Sequence, residues 1–146
     1  MINWTITGRD FIIEDGEGYI GFIYVITNLI NDKKYVGQKR LWKTVTRPPL
    51  KGKVRKRKEI KQSDWAEYWG SSENLKKDIE IFGKENFKRE IIRLCKAKGE
   101  LHYMELKYQI DNNVLFRDDF YNNIVQTRIH GTHVSTLREE LLKVTK

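Results

Sequence analysis

Two tyrosines, Tyr24 and Tyr35, stand eleven residues apart, each inside a short apolar run: Gly21-Phe22-Ile23-Tyr24-Val25-Ile26 and Lys34-Tyr35-Val36-Gly37. Between them Asn28 to Lys33 carries turn chemistry, with Asn31-Asp32 at its tip. Apolar and aromatic runs bracketing such a turn predict a β-hairpin, here one bearing two phenols. In most hairpins a tyrosine is an amphipathic filler whose ring is half-buried and whose hydroxyl finds a nearby partner. The segment that follows gives this pair a second reading.

Between Lys39 and Lys61 lie eleven of the 28 basic residues and one of the 20 acids, Glu59, so the segment carries +10 and the rest of the chain −2. A nearly neutral body with one strongly cationic segment points to a polyanion, and to the phosphates of nucleic acid first. The plain alternative is a solvated charged face or a localisation-like tract. The segment contains Pro48-Pro49 and Gly52 and shows no apolar period, so it reads as a loop or mobile insertion over 39–62 that orders on its ligand. Lys39, Lys43, Lys51, Lys53, Arg55, Lys56, Arg57, Lys58 and Lys61 are its expected DNA contacts.

Several function classes drop out. Cys95 is the single cysteine, which excludes an internal disulfide and suggests a reducing interior. No apolar run approaches the roughly 18 residues of a membrane span, and residues 1–18 are too charged for a signal peptide. A protein of the cytoplasm without membrane attachment is expected. His130 and His133 bracket Gly131-Thr132 without a third ligand nearby, and His102 reads as a residue of an exposed helix side, so a zinc site is not expected. There is no glycine-rich phosphate loop and no nucleophile elbow.

At 146 residues the chain is one domain's worth. Residues 1–18 suggest an arm or small hairpin. Ser63 or Asp64 caps a short turn presenting Trp65 and Trp69. A helix then follows, with Ser71 or Ser72 as N-cap, Leu75, Ile79 and Phe82 on one stripe, and Gly83 closing it. Phe87 to Cys95 reads as a strand with Ile91 and Ile92 both buried, Glu100 to about Asn112 as a second helix, and 133–146 as an amphipathic tail with Val134, Leu137, Leu141 and Val144 on one side. The order predicts an α+β fold with a small three-stranded mixed or antiparallel sheet flanked by helices. Its expected divisions are the arm 1–18, a core 19–125 holding the basic insertion, and a tail 126–146.

Among the acids, Glu105 shares its helix side with Leu101 and Tyr108 at i−4 and i+3, so it points toward the core. An inward carboxylate is costly unless it is paired or binds a metal. Either a buried ion pair or a Mg²⁺ site completed by water and a phosphate oxygen satisfies it. A free phenol has a pKa of about 10, so Tyr24 or Tyr35 would need a hydrogen-bond relay or a neighbouring cation, such as Lys39 or Arg40, to act on a water. Asn122, between aromatic residues, reads first as a turn amide.

The pair Ile23-Tyr24 and Tyr35-Val36-Gly37 resembles the motif of the GIY-YIG nucleases, with Phe22 where the motif's first glycine is usual. Gly70-Ser71-Ser72-x-x-Leu75, Phe82 to Phe87 and Glu90-Ile91-Ile92 resemble that family's helix and third strand. Glu105 stands where it places a metal-binding glutamate, and Tyr121-Asn122 resembles its late Tyr-Asn element. The resemblance covers roughly residues 20–124 and is closest to small phage-borne, homing-endonuclease-like members. It implies hydrolysis of a DNA phosphodiester with one Mg²⁺ or Mn²⁺: Tyr24 or Tyr35 would position or deprotonate the water, an arginine would meet the phosphorane charge, and Glu105 would hold the metal. Asn122 joins that expected site.

The family's arginine comes about ten residues after the second tyrosine, where this chain has Val45, flanked by Arg40 and Arg47; both remain candidates. The family's histidine has no counterpart between Tyr35 and Trp69. A displaced arginine, a reduced site and a non-catalytic nucleic-acid-binding protein all fit these departures. No zinc finger or helix-turn-helix is present, so the expected enzyme has low sequence specificity. It is expected to be a monomer in solution that nicks one strand at a time, with a transient dimer on DNA.

Overall fold

The fold was analysed in a computed structural model, which describes residues 3–123. Strands β1 (Thr5–Ile6) and β2 (Arg9–Asp10) open the chain. The hairpin follows as β3 (Gly21–Asn28) and β4 (Lys34–Arg40), then β5 (Trp42–Arg47), β6 (Arg57–Gln62), helix α1 (Glu73–Phe82), β7 (Phe87–Cys95) and helix α2 (Lys98–Asp111). The fold is α+β, as the residue order implies. Its main sheet has five strands in the order β2-β1-β7-β3-β4, with β1 parallel to β7 and the other pairings antiparallel.

The two extra strands come from the N-terminal segment, which belongs to the body. Trp4 is 1% exposed, donates its indole N–H to the Trp65 carbonyl at 2.8 Å, and meets Phe22 and Tyr24 edge-on at 5.0 and 5.2 Å. Strand β3 is central and buried on both sides. Phe22, Tyr24 and Ile26 face a cluster with Trp4, Phe11, Trp65, Leu75, Ile79 and Ile91, while Ile23 faces Val36, Cys95, Leu101 and Met104. The helices follow from their patterns. Ser72 accepts the Leu75 N–H at 3.3 Å as N-cap of α1, Leu75 and Ile79 are buried, and Gly83 closes the helix. Helix α2 packs on the opposite sheet face through Leu101 and Met104.

Two local expectations are corrected. Ile92 is 39% exposed beside the buried Ile91. The register between β3 and β7 shifts here, with Ile23 opposite Arg93 and Tyr24 opposite Ile91, so Ile92 is the extra residue of a bulge. The basic insertion is not a shapeless loop. Its first residues finish β4, Leu41 is fully buried, and β5 pairs with β6 from Trp42↔Gln62 to Arg47↔Arg57 as a separate two-stranded ribbon. The β-branched residues Thr44, Val45, Thr46 and Ile60 supply the strand preference, and Pro48-Pro49 ends β5. The ribbon's root is fixed where Trp42 donates to the Tyr19 carbonyl at 2.8 Å and the Ser63 N–H to that of Leu41 at 2.8 Å.

The outer edge of β4 is closed by 119–122. The Lys34 N–H donates to the Asp119 carbonyl at 2.9 Å and the Tyr121 N–H to that of Lys34 at 2.7 Å. One step on, the Asn122 side chain imitates a strand: its Oδ1 accepts the Val36 N–H at 3.0 Å and its Nδ2 donates to the Val36 carbonyl at 2.8 Å. The expected tail helix, its Val134–Val144 stripe, His130 and His133 lie outside the described residues. Among the described residues no helix is long and apolar enough to cross a membrane.

Candidate active site

Pairing of Tyr24 with Gly37 puts the two phenols on the same face of the hairpin, because Tyr35 and Gly37 are two apart on β4. The rings lie 6.1 Å apart, and the Tyr24 hydroxyl sits directly over Gly37, in space that a β-carbon would fill. Tyr24 is 1% exposed. Burial, then the neighbouring phenols of Tyr68 and Tyr35, push its hydroxyl well above the ordinary tyrosine value. Tyr35 is half-buried, its hydroxyl 3.0 Å from Ser71 Oγ; burial raises it too, although the Ser71 bond pulls the other way. Both phenols therefore keep their protons in the free protein. Each can orient a water or pass a proton along a hydrogen-bond chain, but neither is a ready base.

Tyr68 is the member of this cluster that the sequence did not reveal. Its ring meets Tyr24 edge-on at 6.0 Å, and its phenol helps to raise that of Tyr24. It is held there because Arg89, 3% exposed, donates to the carbonyls of Ala66 and Tyr68 at 3.1 and 2.7 Å. The Arg89 guanidinium lies over Trp4 at 4.6 Å and Trp69 at 4.2 Å. Burial lowers it to about 10, so it stays charged at neutral pH. Gly70 completes the wall: its backbone has φ +88°, and a β-carbon there would crowd Leu75 at 3.1 Å and touch the Tyr35 ring at 3.4 Å. Ser71, hydrogen-bonded to Tyr35, follows directly.

Glu105 lies on α2, which packs against β3 and β4. Loss of water raises its carboxyl to about 7, opposed only by a hydrogen bond from the Gln38 backbone, with no cation contributing. The ion-pair alternative for this residue therefore has no support among the described residues. Its charge contributes, as the smallest of several causes, to raising Tyr24 and Tyr35, so the carboxyl acts on the phenols through space. Gln38 links it to α2 again: the Gln38 side-chain nitrogen is 2.9 Å from His102 Nδ1, so His102 is half-buried at the site's rim and not on an exposed helix side.

The other sequence candidates divide. Asn122 is buried, and its amide is engaged by the Val36 backbone, with Gln109 Nε2 adding a bond to the same carbonyl at 3.2 Å. It fixes the β4 edge and, through it, the strand that carries Tyr35. Arg40 is exposed at the end of β4; strand alternation assigns it the face of Val36, opposite to the phenols. Arg47 sits on the ribbon, 2.8 Å from Glu59. Neither arginine is brought to the tyrosines. The cation that is brought there is Lys39, on the face of Tyr35 and Gly37, its ammonium 4.3 Å from the centre of the Tyr68 ring.

A divalent cation fits this arrangement only as a site that substrate completes. Among the described residues no cluster of three acids, histidines or cysteines exists. Present instead is the desolvated Glu105 carboxyl; Gln38 Oε1, a buried oxygen without a hydrogen-bond partner, lies with Val36 on the face that meets α2. Oxygen donors of this kind suit Mg²⁺, which keeps several waters and takes phosphate oxygens readily.

A hairpin with facing tyrosines, a helix, a third strand and a glutamate-bearing helix form the core of a GIY-YIG domain. The chain belongs to that family: the family model described as "Putative endonuclease segE, GIY-YIG domain" matches residues 4–125. Over 106 residues the chain is 30% identical to "Putative endonuclease segD" of Enterobacteria phage T4, covering 73% of this chain and 38% of that protein. The chain thus spans well under half the length of this relative. No solved structure matches it.

Proposed function

We propose that this domain is a DNA endonuclease that hydrolyses phosphodiester bonds with Mg²⁺ or Mn²⁺ and has low intrinsic sequence specificity. One observation carries the reading: the Glu105 carboxyl, desolvated and without a cation partner among the described residues, lies within electrostatic reach of two phenols that share one face of the hairpin. A half-buried, desolvated carboxyl at this position destabilises the free protein once ionised and is costly unless a ligand uses it. Glu105 would hold the metal, which when bound would supply Lewis-acid stabilisation of the phosphate. Tyr35, the more exposed phenol, donates to or accepts from the attacking water, while Tyr24 and Tyr68 behind it take up the shift in hydrogen bonding. Asn122 keeps the strand in register. The family assignment and the phage relative support a phage-borne enzyme acting in a host cytoplasm.

Supercoiled plasmid is the direct substrate. With Mg²⁺ the protein should convert it to nicked circles, and EDTA should stop the reaction. Binding without cutting in Mg²⁺ and in Mn²⁺ would leave the accessory DNA-binding reading in possession. With one carboxylate and one phenol pair per chain, a monomer cuts one strand per encounter. Linear DNA should therefore appear only after nicked circles accumulate, and sedimentation without DNA should give a single chain. Linear product at the earliest times from a stable dimer contradicts this.

The ribbon supplies the phosphate contacts. Residues 48–62 are exposed, with Lys51, Lys53, Arg55 and Lys56 in the connection and Arg57, Lys58 and Lys61 on β6. Lys43 lies opposite Lys61 on β5. Phosphate contacts release counterions, so affinity should fall with salt at about 0.9 log units per contact per log unit of salt. Alanines at Arg55 to Lys58 should weaken binding equally across sequences and flatten the slope by about 4 × 0.9. An altered sequence preference at unchanged slope would mean that the ribbon reads bases instead.

A further inference from the structure

We propose that Lys39 is the cation that meets the scissile phosphate, in the role for which the sequence offers Arg40 and Arg47, and that Asp64 holds its ammonium until a phosphate displaces it. The inference rests on the endonuclease reading and adds to it the identity of the charge-neutralising residue and a device that guards it. Strand register decides the first half. Lys39 pairs with Phe22 as Gly37 pairs with Tyr24, so Tyr35, Gly37 and Lys39 follow each other along one face of β4. Arg40 belongs to the other face, and Arg47 is occupied by Glu59 on the ribbon. Arg89, on the same side of the sheet, is committed to two carbonyls and two indoles, and Lys84 stands over Trp69, away from the tyrosine pair.

The Lys39 side chain is only 18% exposed, unlike a solvated surface lysine, and its ammonium stands over the ring of Tyr68, which touches Tyr24. A fixed, partly desolvated cation at this distance from the phenols stabilises charge developing on a phosphate without reorganising. The ammonium carries three donors, of which Asp64 Oδ1 takes one at 2.5 Å. Asp64 is 72% exposed, so nothing seals its carboxylate in place. Exchange of that carboxylate for a phosphate oxygen trades one anion for another on the same donor, with little strand movement. Asp64 also repels DNA that approaches without delivering a phosphate to this position.

Steady-state nicking with saturating plasmid tests the assignment. Lys39→Met should lower kcat about 100-fold, the usual effect of removing one preorganised donor, with KM changed only a few-fold. Lys39→Arg should recover much of the loss, and Asp64→Asn should lower KM for DNA. Arg40→Ala should stay within about threefold of the parent's kcat. An unfolding temperature for Lys39→Met near the parental one excludes a folding defect. If the protein cuts and Lys39→Met matches it, or if Arg40→Ala shows the hundredfold loss in its stead, the assignment is wrong while the nuclease reading stands. A second readout works even if no cutting occurs. With lysine side chains labelled with ¹⁵N, the Lys39 Nζ signal should move when a short duplex is added in EDTA. An unmoved signal under saturating duplex overturns the proposal.

Discussion

Plasmid incubated with the Glu105→Ala variant in Mg²⁺ should remain supercoiled while the variant still retards DNA as the parent does. The substitution removes the desolvated carboxyl and leaves the ribbon's cations untouched, so chemistry and binding separate. A second signature is independent of cutting. The carboxyl's value of about 7 in the folded protein exceeds the ordinary 4.5. A group raised by folding lends stability while it is protonated; that contribution is complete below the unfolded value and is lost as pH rises through the folded one. In EDTA the parent should therefore lose unfolding temperature between about pH 5 and 8 by a component that Glu105→Gln lacks. At pH 8 the glutamine variant, a neutral isostere of the protonated acid, should be the more stable protein and an inactive one. Full nicking by Glu105→Ala, or identical pH–stability curves for parent and glutamine variant, would show that the carboxyl is an ordinary solvated one.

The parts of the molecule legible in the chain are those specified by neighbours in sequence. The hairpin is one: its apolar runs and the Asn28–Lys33 turn are local, and the register that sets Tyr24 opposite Gly37 follows from the turn's length. Helix α1 is another, since Ser72, Leu75, Ile79 and Gly83 are cap, stripe and stop within one short segment. Glu105's inward direction could be read from Leu101 and Tyr108 on the same helix face.

The illegible parts depend on long-range pairing. Nothing near Thr5 announces that its strand will lie parallel to Glu90 and Ile91, eighty-five residues later. Without that pairing, Trp4 reads as part of an arm and not as the centre of the aromatic cluster. Arg89 sits among Lys88 and Glu90 like any surface charge, and only the finished sheet shows it buried between two indoles. Tyr68 and Lys39 are twenty-nine residues apart, so their contact emerges only once the ribbon between them loops out and back. The ribbon's strand signal, Thr44-Val45-Thr46 and Ile60, is weak beside eleven cations, whose density matches an unstructured segment equally well. The amide of Asn122 was visible as a hydrogen-bonding group, but an edge strand needing closure was not, so a turn was the nearer explanation.

Gly37→Ala should nearly abolish plasmid nicking by a route that removes no functional group. A β-carbon at this position overlaps the hydroxyl oxygen and the ring carbons of Tyr24. Tyr24 has no free direction in which to yield: Trp4, Tyr68, Tyr35 and Phe22 surround its ring at 5.2, 6.0, 6.1 and 6.2 Å. Either the phenol swings away or β4 is pushed outward, against the Asn122 and Glu105 contacts on its far edge. Overpacking of this kind costs about 1–3 kcal/mol of stability. Displacing a reacting group by about 1 Å costs about 100-fold in rate, so cleavage should fall by at least that while the protein remains folded. Tyr24→Phe in the same chain separates the two effects. Removing the hydroxyl opens space above residue 37, so the double variant should regain part of the lost unfolding temperature. It should regain no cleavage, because the phenol itself is gone. Additive stability losses in the double variant would mean that the two positions do not press on each other, and that Gly37 is required for the strand's backbone and not for the seat of Tyr24.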